Sequence, residues 1–246
     1  MNLDEKIDYI SSWIKKYTQN IKFQPVTLVI GVSGGVDSAL TSTLCAKTGL
    51  KTIAVSMPIK QNINQHNLSL RHLNWLNENF KNVETLTINL DSVFNAFEKK
   101  HKDFNNELAF ANSRSRLRMV TLYQIAQSNN GLVVGTGNKV EDFGVGFYTK
   151  YGDGAVDISP IADCTKSEVW NMASKLKIIS DIVNAEPTDG LWDDSRNDEN
   201  QLGLSYKEIE EAMFNKNSKF YKKYLQIREP NLHKMLPIPV CIIPKK

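Results

Sequence analysis

Residues 28–40 read LVIGVSGGVDSAL, and this stretch decides the fold class. Its first half is a run of aliphatic, mostly β-branched side chains, as expected for a short strand that is buried on both faces. Two glycines follow, and then a segment of helical composition that continues to Gly49, a typical helix-ending residue. Glycines between a buried strand and a helix let the backbone turn sharply, so that several N–H groups and the helix N-terminus can bind one anion.

The same alternation of strand and helix continues along the chain. Residues 27–33, 52–58, 83–90 and 132–136 are apolar and read as strands, with helical segments between them. Because strands that are apolar on both faces are typical of covered parallel sheets, we predict an α/β fold. Its sheet would be doubly wound and mostly parallel, with helices on both faces. A first helix is also predicted, and its apolar face would consist of Leu3, Ile7, Ile10, Ile14 and Tyr17.

This alternation ends at Gly135. Residues 135–160 are rich in glycine and polar side chains, so we predict a long functional loop. Thr165 and Glu168 form a capping-box pattern that starts another helix. A second irregular segment, residues 184–203, is strongly acidic and is predicted to be mobile. The remainder is predicted to be a helical C-terminal part that ends in a proline-spaced tail.

Composition excludes several classes of protein. A net charge of +3 is too small to indicate nucleic acid binding, and no apolar run approaches the ~20 residues that a membrane span requires. The N-terminus lacks the apolar segment of a signal peptide. Cys45, Cys164 and Cys241 are widely spaced and indicate neither a disulfide framework nor a zinc site. We therefore expect one cytoplasmic domain, residues 1–246, that binds neither nucleic acid nor membrane.

An aspartate lies inside the predicted anion site. The usual triphosphate-binding loop has a lysine after its last glycine, whereas this chain has Val36 and Asp37 there. A carboxylate would repel a phosphate unless a cation lay between them, so Asp37 indicates Mg²⁺, which binds a few carboxylates together with phosphate oxygens. Ser33 and Ser38 can supply hydroxyl donors. The alternative is a tight strand–helix turn with an aspartate near a helix N-terminus.

Residues 33–38, SGGVDS, resemble the pyrophosphate-binding loop of the N-type ATP pyrophosphatases, which cleave ATP between its α- and β-phosphates. Within that superfamily the chain resembles the ammonia-dependent NAD synthetases. The matching stretches are SRSRLRM (113–119), GTGNKVED (135–142), YTKYGDGAVDISPIADCTKSEV (148–169), EPTDGLWDDSRNDENQLGLSY (186–206) and NLHKMLP (231–237). They occur in the family's order, and the resemblance implies an adenine nucleotide alpha hydrolase-like fold.

The resemblance also implies a reaction, the last step of NAD biosynthesis. ATP would transfer AMP to the carboxylate of deamido-NAD (nicotinic acid adenine dinucleotide) and release pyrophosphate. Ammonia would then attack the acyl-adenylate to give NAD⁺ and AMP. Glutamine-dependent relatives carry a separate hydrolase domain, for which 246 residues leave no room, so we expect direct use of ammonia. The family is homodimeric, with its dinucleotide site built partly across the subunit interface.

By resemblance, Asp37, Ser33 and Lys166 are the catalytic residues, and Asp37 and Glu141 bind Mg²⁺. The implied ATP-binding set is Gly31, Val32, Ser33, Gly34, Gly35, Val36, Asp37, Ser38, Thr136, Lys166 and Thr188. Lys166 lies in the first turn of a predicted helix, where a cation opposes the helix dipole and so indicates an anionic partner. Without the resemblance, Glu141 reads as a solvated loop acid, and Thr136 and Thr188 read as cap or turn residues.

The residues implied for deamido-NAD are Arg116, Lys150, Asp157, His233 and Lys234. Arg114 and Arg118 are explained by a solvated basic helix face. We predict no side-chain general base, although Asp153 is a candidate acceptor for the ammonia proton. The chain departs from the family pattern at Arg114, where lysine is common, and by one extra residue between Glu141 and Lys150. The acidic residues 193–199 resemble a loop that closes over the site and excludes water.

Two alternatives remain open. The superfamily also contains GMP synthetase, which aminates an adenylate as well, together with argininosuccinate synthetase and tRNA-modifying enzymes. The tRNA enzymes should carry extra basic domains or catalytic cysteine pairs, and this chain has no Cys-x-x-Cys. From another class, a non-catalytic nucleotide-binding module could use the same scaffold, but it would not need Asp37 and Glu141 as a metal pair.

Overall fold

A computed structural model describes residues 1–22, 25, 27–187 and 197–244. Its sheet has four parallel strands in the order β3-β2-β1-β4. The strands are β1 (Thr27–Gly31), β2 (Lys51–Ser56), β3 (Val83–Thr87) and β4 (Gly131–Val134). β1 and β2 are buried over most of their length, whereas β3 lies at the edge and is only partly covered. The predicted parallel α/β sheet is confirmed.

Helices pack on both faces of this sheet and also form the C-terminal part of the chain. They are α1 (Leu3–Asn20), α2 (Val36–Lys47), α3 (Ile63–Asn79), α4 (Asp91–Lys100), α5 (Glu107–Ser128), α6 (Lys166–Lys175), α7 (Ser180–Val183), α8 (Asp198–Leu202), α9 (Tyr206–Phe214), α10 (Tyr221–Arg228) and α11 (Leu232–Met235). One core joins α1, α2, α3 and α6 to the sheet around Ile14 and Leu40. A second core joins α4 and α5 to its opposite face around Phe94. Among the described helices, none is both long and apolar enough to cross a membrane.

A third core belongs to the helical C-terminal part. It joins α9 and α10 to a π-helix, Lys139–Val145, through Tyr206, Ile209 and Tyr224. The prediction of an irregular loop is therefore wrong for residues 139–145, because the Asn138 side chain caps this segment and starts a helix. The predicted capping box of Thr165 and Glu168 is confirmed at the start of α6.

The predicted apolar face of α1 is confirmed at its centre and wrong at its ends. Ile7, Ile10 and Ile14 are buried, but Leu3 is 36% exposed and Tyr17 is 39% exposed. The buried face continues to Thr18 and not to Tyr17, which lies beside that face, and Leu3 is the first residue of the helix. Within the acidic segment 184–203, residues 198–202 form the short helix α8. Most of the acidic run 193–199 lies outside the described residues.

Candidate active site

A cleft of about 730 Å³ opens where β1 and β4 end. Gly31 and Val134, the last residues of these neighbouring strands, both line it. This is the edge of a parallel sheet at which ligands of α/β proteins bind. The cleft is also lined by every residue from Val32 to Ser38, and by Thr136, Glu141 and Lys166. Ten of the eleven predicted ATP-binding residues are thus brought together, and Thr188 lies outside the described residues.

The loop between β1 and α2 is held in shape by its own hydroxyl groups. Ser33 N–H donates to Ser38 Oγ (3.2 Å), and Gly35 N–H donates to Ser33 Oγ (3.2 Å). Ser38 Oγ–H donates to the Gly35 carbonyl oxygen (2.9 Å). Gly34 has a φ of +95°, and a Cβ there would lie 2.6 Å from the Gln65 carbonyl oxygen. The loop therefore requires glycine at this position, and its N–H groups lie beside the positive end of α2.

Three charged side chains meet beside this loop. Lys166 Nζ donates to Asp37 Oδ2 (2.6 Å) and to Glu141 Oε1 (2.8 Å). The lysine side chain is 3% exposed, and the two carboxylates are largely buried. Burial opposes the lysine charge, but the attraction of both carboxylates outweighs it and raises the pKa of Lys166 above its ordinary value. The lysine is therefore a fixed cation between the two acids.

The same contacts shift the pKa values of the two carboxylates in opposite directions. Burial raises the pKa of Asp37 above its ordinary value, and repulsion from Glu141 adds to the rise, although Lys166 opposes it. Burial acts on Glu141 in the same direction, but Lys166 and the hydroxyl group of Tyr206 reverse the effect and lower the pKa of Glu141. Tyr206 O–H lies 2.5 Å from Glu141 Oε1, and its oxygen lies 3.0 Å from Asp198 Oδ2.

These two carboxylates fit a magnesium ion. Oxygens from Asp37 and Glu141 already converge on one cation, the Lys166 ammonium group. Among the described residues, no group of three or more His, Cys, Asp and Glu side chains gathers in a metal-binding arrangement. Mg²⁺ does not require such a group, because it is usually held by one or two carboxylates together with substrate phosphates and water.

Two further acidic side chains, Asp142 and Asp153, also line the cleft. Asp153 Oδ1 accepts hydrogen bonds from Ser115 Oγ (2.7 Å) and from Thr149 N (3.0 Å), yet burial still raises its pKa. Burial, followed by repulsion from Asp153 and Glu141, raises the pKa of Asp142 well above its ordinary value. Asp142 packs so closely over Gly137 that a Cβ on that glycine would lie 1.8 Å from Asp142 Oδ2. Burial thus raises the pKa of both acids in the cleft above the ordinary value of an aspartate.

Four of the residues predicted to bind deamido-NAD come together at the rim of the cleft. Arg116 Nε and Nη2 donate to the Lys150 carbonyl oxygen (3.3 and 3.2 Å), and Lys150 Nζ donates to the His233 carbonyl oxygen (2.7 Å). Lys234 Nζ donates to the Tyr148 carbonyl oxygen (2.9 Å), and it lines the cleft itself. These cations therefore contact neutral main-chain acceptors.

Asp157 does not join this group. It accepts hydrogen bonds from Tyr123 O–H (3.2 Å) and from Val133 N–H (2.8 Å). Both Asp157 and Tyr123 line a separate cavity of about 360 Å³. Within one chain, the structure places this predicted ligand apart from the other four, and its role remains a prediction.

Three residues of the site escaped the sequence analysis. Asn138, with Glu141 three positions later, has the spacing of a helix N-terminus and could have been found from it. Tyr206 gives no local signal, because its partner Glu141 is 65 residues away. Arg118 was assigned to a solvated face, and this is wrong: its Nε donates to the Met57 carbonyl oxygen (2.9 Å) in the cleft wall, and burial lowers its pKa to about 10.

Comparison with known proteins identifies the family of this chain. The sequence profile of the NAD synthase family matches residues 6–235. An NH₃-dependent NAD⁺ synthetase from Carboxydothermus hydrogenoformans is 36% identical over 215 residues, which is 85% of each chain. The solved structure of an NMN synthetase from Francisella tularensis superposes with a TM-score of 0.89 at 30% identity and full coverage of both chains. An NH₃-dependent NAD synthetase from Campylobacter jejuni gives 0.79 at 26% identity, over 98% of this chain and all of that one.

The resemblance seen in the sequence is thereby confirmed. The matched region contains the anion loop, the three charged side chains beside it and the basic rim. This chain belongs to the NAD synthase family of ammonia-dependent, ATP-using ligases.

Proposed function

We propose that this protein amidates deamido-NAD with ammonia, at the expense of ATP and through an acyl-adenylate, to give NAD⁺, AMP and pyrophosphate. The observation that carries the proposal is the convergence of the anion loop with Asp37, Glu141 and Lys166 at the end of β1. A loop that binds phosphate needs no buried carboxylates of its own. A loop that binds pyrophosphate together with a divalent cation does need them.

In the first half-reaction, a carboxylate oxygen of the substrate attacks the α-phosphorus of ATP and the bond to the β-phosphate oxygen breaks. The N–H groups of the loop, and the hydroxyl groups of Ser33 and Ser38, would hold the departing pyrophosphate. Asp37 and Glu141 would hold Mg²⁺, which supplies positive charge to the phosphate oxygens. Lys166 would then exchange a carboxylate for a phosphate oxygen as its partner. Fixed groups of this kind stabilise charge at the moment it develops.

In the second half-reaction, the nitrogen of ammonia attacks the acyl carbon and AMP leaves. The nitrogen must lose a proton to become a neutral amide. Asp153 lines the cleft, and burial raises its pKa, which makes its carboxylate a stronger base than an ordinary aspartate. We therefore keep Asp153 as the proposed acceptor.

The test is a product assay with purified protein, ATP, Mg²⁺, ammonium and deamido-NAD. We expect AMP, pyrophosphate and NAD⁺ in equal amounts, and we expect none of them when the deamidated substrate is omitted. Release of ADP, or ATP binding without AMP formation, would contradict the proposal. The second of these outcomes would favour a nucleotide-binding module.

Nicotinate mononucleotide is a second candidate substrate. The observation in its favour is the superposition on the Francisella tularensis NMN synthetase, with a TM-score of 0.89 over the whole of both chains. Deamido-NAD is favoured instead by curated relatives that are named NAD⁺ synthetases and share 36% identity with this chain. The ratio of kcat/KM for the two substrates decides between them. If kcat/KM for nicotinate mononucleotide is more than ten times that for deamido-NAD, the mononucleotide replaces deamido-NAD as the proposed substrate.

We further propose that the active form is a homodimer. Leu108 and Val120 of α5 are 58% and 57% exposed, so each is an apolar side chain that a partner would cover. Tyr123 of the same helix contacts Asp157, so a second copy on this face would approach the cavity that holds Asp157. Light scattering after gel filtration should give twice the monomer mass, and Val120→Asp should reduce it. A monomeric wild-type protein with full activity would contradict this proposal.

A further inference from the structure

Asn138 lies between the two carboxylates of the proposed magnesium site. Its side-chain Nδ2–H donates to Asp37 Oδ1 (3.0 Å). Its side-chain oxygen accepts hydrogen bonds from the N–H groups of Val140 (2.9 Å) and Glu141 (3.0 Å). Asn138 has no exposed surface. One short side chain therefore bonds to one carboxylate directly and to the backbone that carries the other.

This bridge joins two separate parts of the fold. Asp37 lies in the first turn of α2, which follows β1, and Glu141 lies in the π-helix that follows β4. The two strands are neighbours in the sheet, so their following segments start side by side. The Asp37 and Glu141 carboxylates repel each other, and a polar contact between the two segments opposes their separation.

Lys166 can supply that contact only in part. It holds both carboxylates through a long side chain, and in the proposed reaction its ammonium group turns to a phosphate oxygen. Asn138 has two side-chain torsion angles and is fully enclosed, so its amide stays in place when the lysine moves. The amide also lies opposite the lysine contact, on Oδ1 of Asp37 rather than on Oδ2.

We propose that Asn138 is a positioning residue for the metal site, which sets the relative placement of Asp37 and Glu141 so that both can bind one divalent cation. The proposal rests on the proposed function, because it assumes that these carboxylates hold Mg²⁺. Groups that orient metal ligands typically change metal affinity or activity by about 10- to 100-fold when they are lost. In this role Asn138 acts through the Asp37 carboxylate and through the backbone that carries Glu141.

The deciding variant is Asn138→Thr. Threonine is also a helix N-cap residue and is close to asparagine in size, so it retains an oxygen for the N–H groups of the π-helix. It lacks the amide that reaches Asp37. The matched control is Asn106→Thr, because Asn106 caps α5 through Ala109 N (2.9 Å) and is exposed to solvent. The two substitutions make the same chemical change at a helix cap, with and without the contact to Asp37.

The measurement is Mn²⁺ binding, by electron paramagnetic resonance, in the presence of a non-hydrolysable ATP analogue. We expect about tenfold weaker binding for Asn138→Thr, no change for Asn106→Thr, and recovery of Asn138→Thr turnover at high Mg²⁺ concentration. A merely structural defect would not respond to Mg²⁺. If Asn138→Thr does not fold, Asn138→Ser, which is smaller, serves in its place.

The outcomes separate the two proposals. Equal Mn²⁺ affinity in wild type and Asn138→Thr, with an unchanged Mg²⁺ dependence of turnover, would overturn the role of Asn138 and leave the proposed function standing. Failure of the wild-type protein to bind Mn²⁺ beside the ATP analogue would overturn the metal site itself, and the role of Asn138 with it.

Discussion

The region of the anion loop and the basic rim differ in the groups that their lysine side chains contact. Beside the loop, Lys166 contacts two carboxylates and is almost completely buried. At the rim, Lys150 and Lys234 donate to main-chain carbonyl oxygens instead. The first region pairs its cation with two carboxylates of the protein, and the second pairs its cations with neutral acceptors. An anionic substrate can therefore improve the contacts of the rim, since hydrogen bonds between charged partners are the stronger kind.

This difference also predicts what each region contributes. Breaking a buried ion pair leaves an uncompensated charge, which has large consequences, whereas exposed cations contribute little each. We therefore expect substitutions beside the loop to change the chemical step and those at the rim to change substrate binding. The following expectations, ordered by the size of the effect, test that division.

The largest effect is expected for Asp37→Asn. The substitution removes one carboxylate of the proposed metal pair and leaves Lys166 with Glu141 alone. We expect kcat/KM to fall about 10³-fold, which corresponds to about 4 kcal/mol, with the fold intact. Asp181→Asn is the control, because Asp181 forms an exposed ion pair with Arg71 and neither residue lines the cleft. Activity of Asp37→Asn within twofold of wild type would refute the assigned role.

Gly34→Ala should have the next largest effect. Alanine at a φ of +95° is strained, and its Cβ would lie 2.6 Å from the Gln65 carbonyl oxygen. We expect the free energy of unfolding to fall by about 3 kcal/mol in urea titrations. The matched control is Gly49→Ala: its φ of +77° is also positive, but a Cβ there meets nothing within 4 Å. We expect it to lose about 1 kcal/mol. Equal losses would show that backbone strain alone, and not the close packing of the loop, explains the effect.

The sequence predicted the loop region much better than the rim. The loop residues are contiguous, so two features were enough to indicate an anion site with a cation. They are the glycine spacing and Asp37, which lies where the usual triphosphate-binding loop has a lysine. Lys166 was found because a lysine in the first turn of a helix lacks a local explanation. Its partners could not be found in this way, since a contact between residues 166 and 37 depends on how α2 and α6 meet in space.

The rim, by contrast, depends on tertiary contacts throughout. Lys150 meets the carbonyl oxygen of a residue 83 positions later, and no local pattern encodes such a pairing. The assignment of Arg118 failed for the same reason, because helix spacing shows which residues share a face but not which face is buried. Asn138 is an intermediate case. Its role as a cap has a local signal, while its contact with Asp37 has none.

Acid should lower the free energy of unfolding through His72, which packs against the helix that follows the loop. This residue of α3 is buried against Ser42 of α2 (Nε2 to Oγ, 2.9 Å), and burial lowers its pKa from 6.5 to about 4. Below pH 6.5 the unfolded chain takes up a proton that the folded protein excludes, so stability falls as the pH decreases from 6.5 towards 4. Between pH 7 and 4.5 the loss is about 2 kcal/mol.

The measurement is the free energy of unfolding of wild type and His72→Gln at both pH values. Glutamine does not titrate, so the variant should lose about 2 kcal/mol less than wild type over this interval. Comparing the two proteins cancels the opposite contribution of Asp37, Asp142 and Asp153, whose raised pKa values favour the folded protein in acid. Identical pH profiles would show that His72 has an ordinary pKa.

The smallest effect is expected at the rim, for Lys234→Met. Methionine keeps most of the side-chain volume and removes the charge, and the lost contact to the Tyr148 carbonyl oxygen is a partly exposed one. We expect the KM for the nicotinate nucleotide to rise about fivefold, or about 1 kcal/mol, with kcat within twofold of wild type. Lys175→Met, which loses an exposed ion pair with Asp4, should change neither constant. A fall in kcat of the size expected for Asp37→Asn would place Lys234 among the groups that act on the chemical step, and the division between loop and rim would fail.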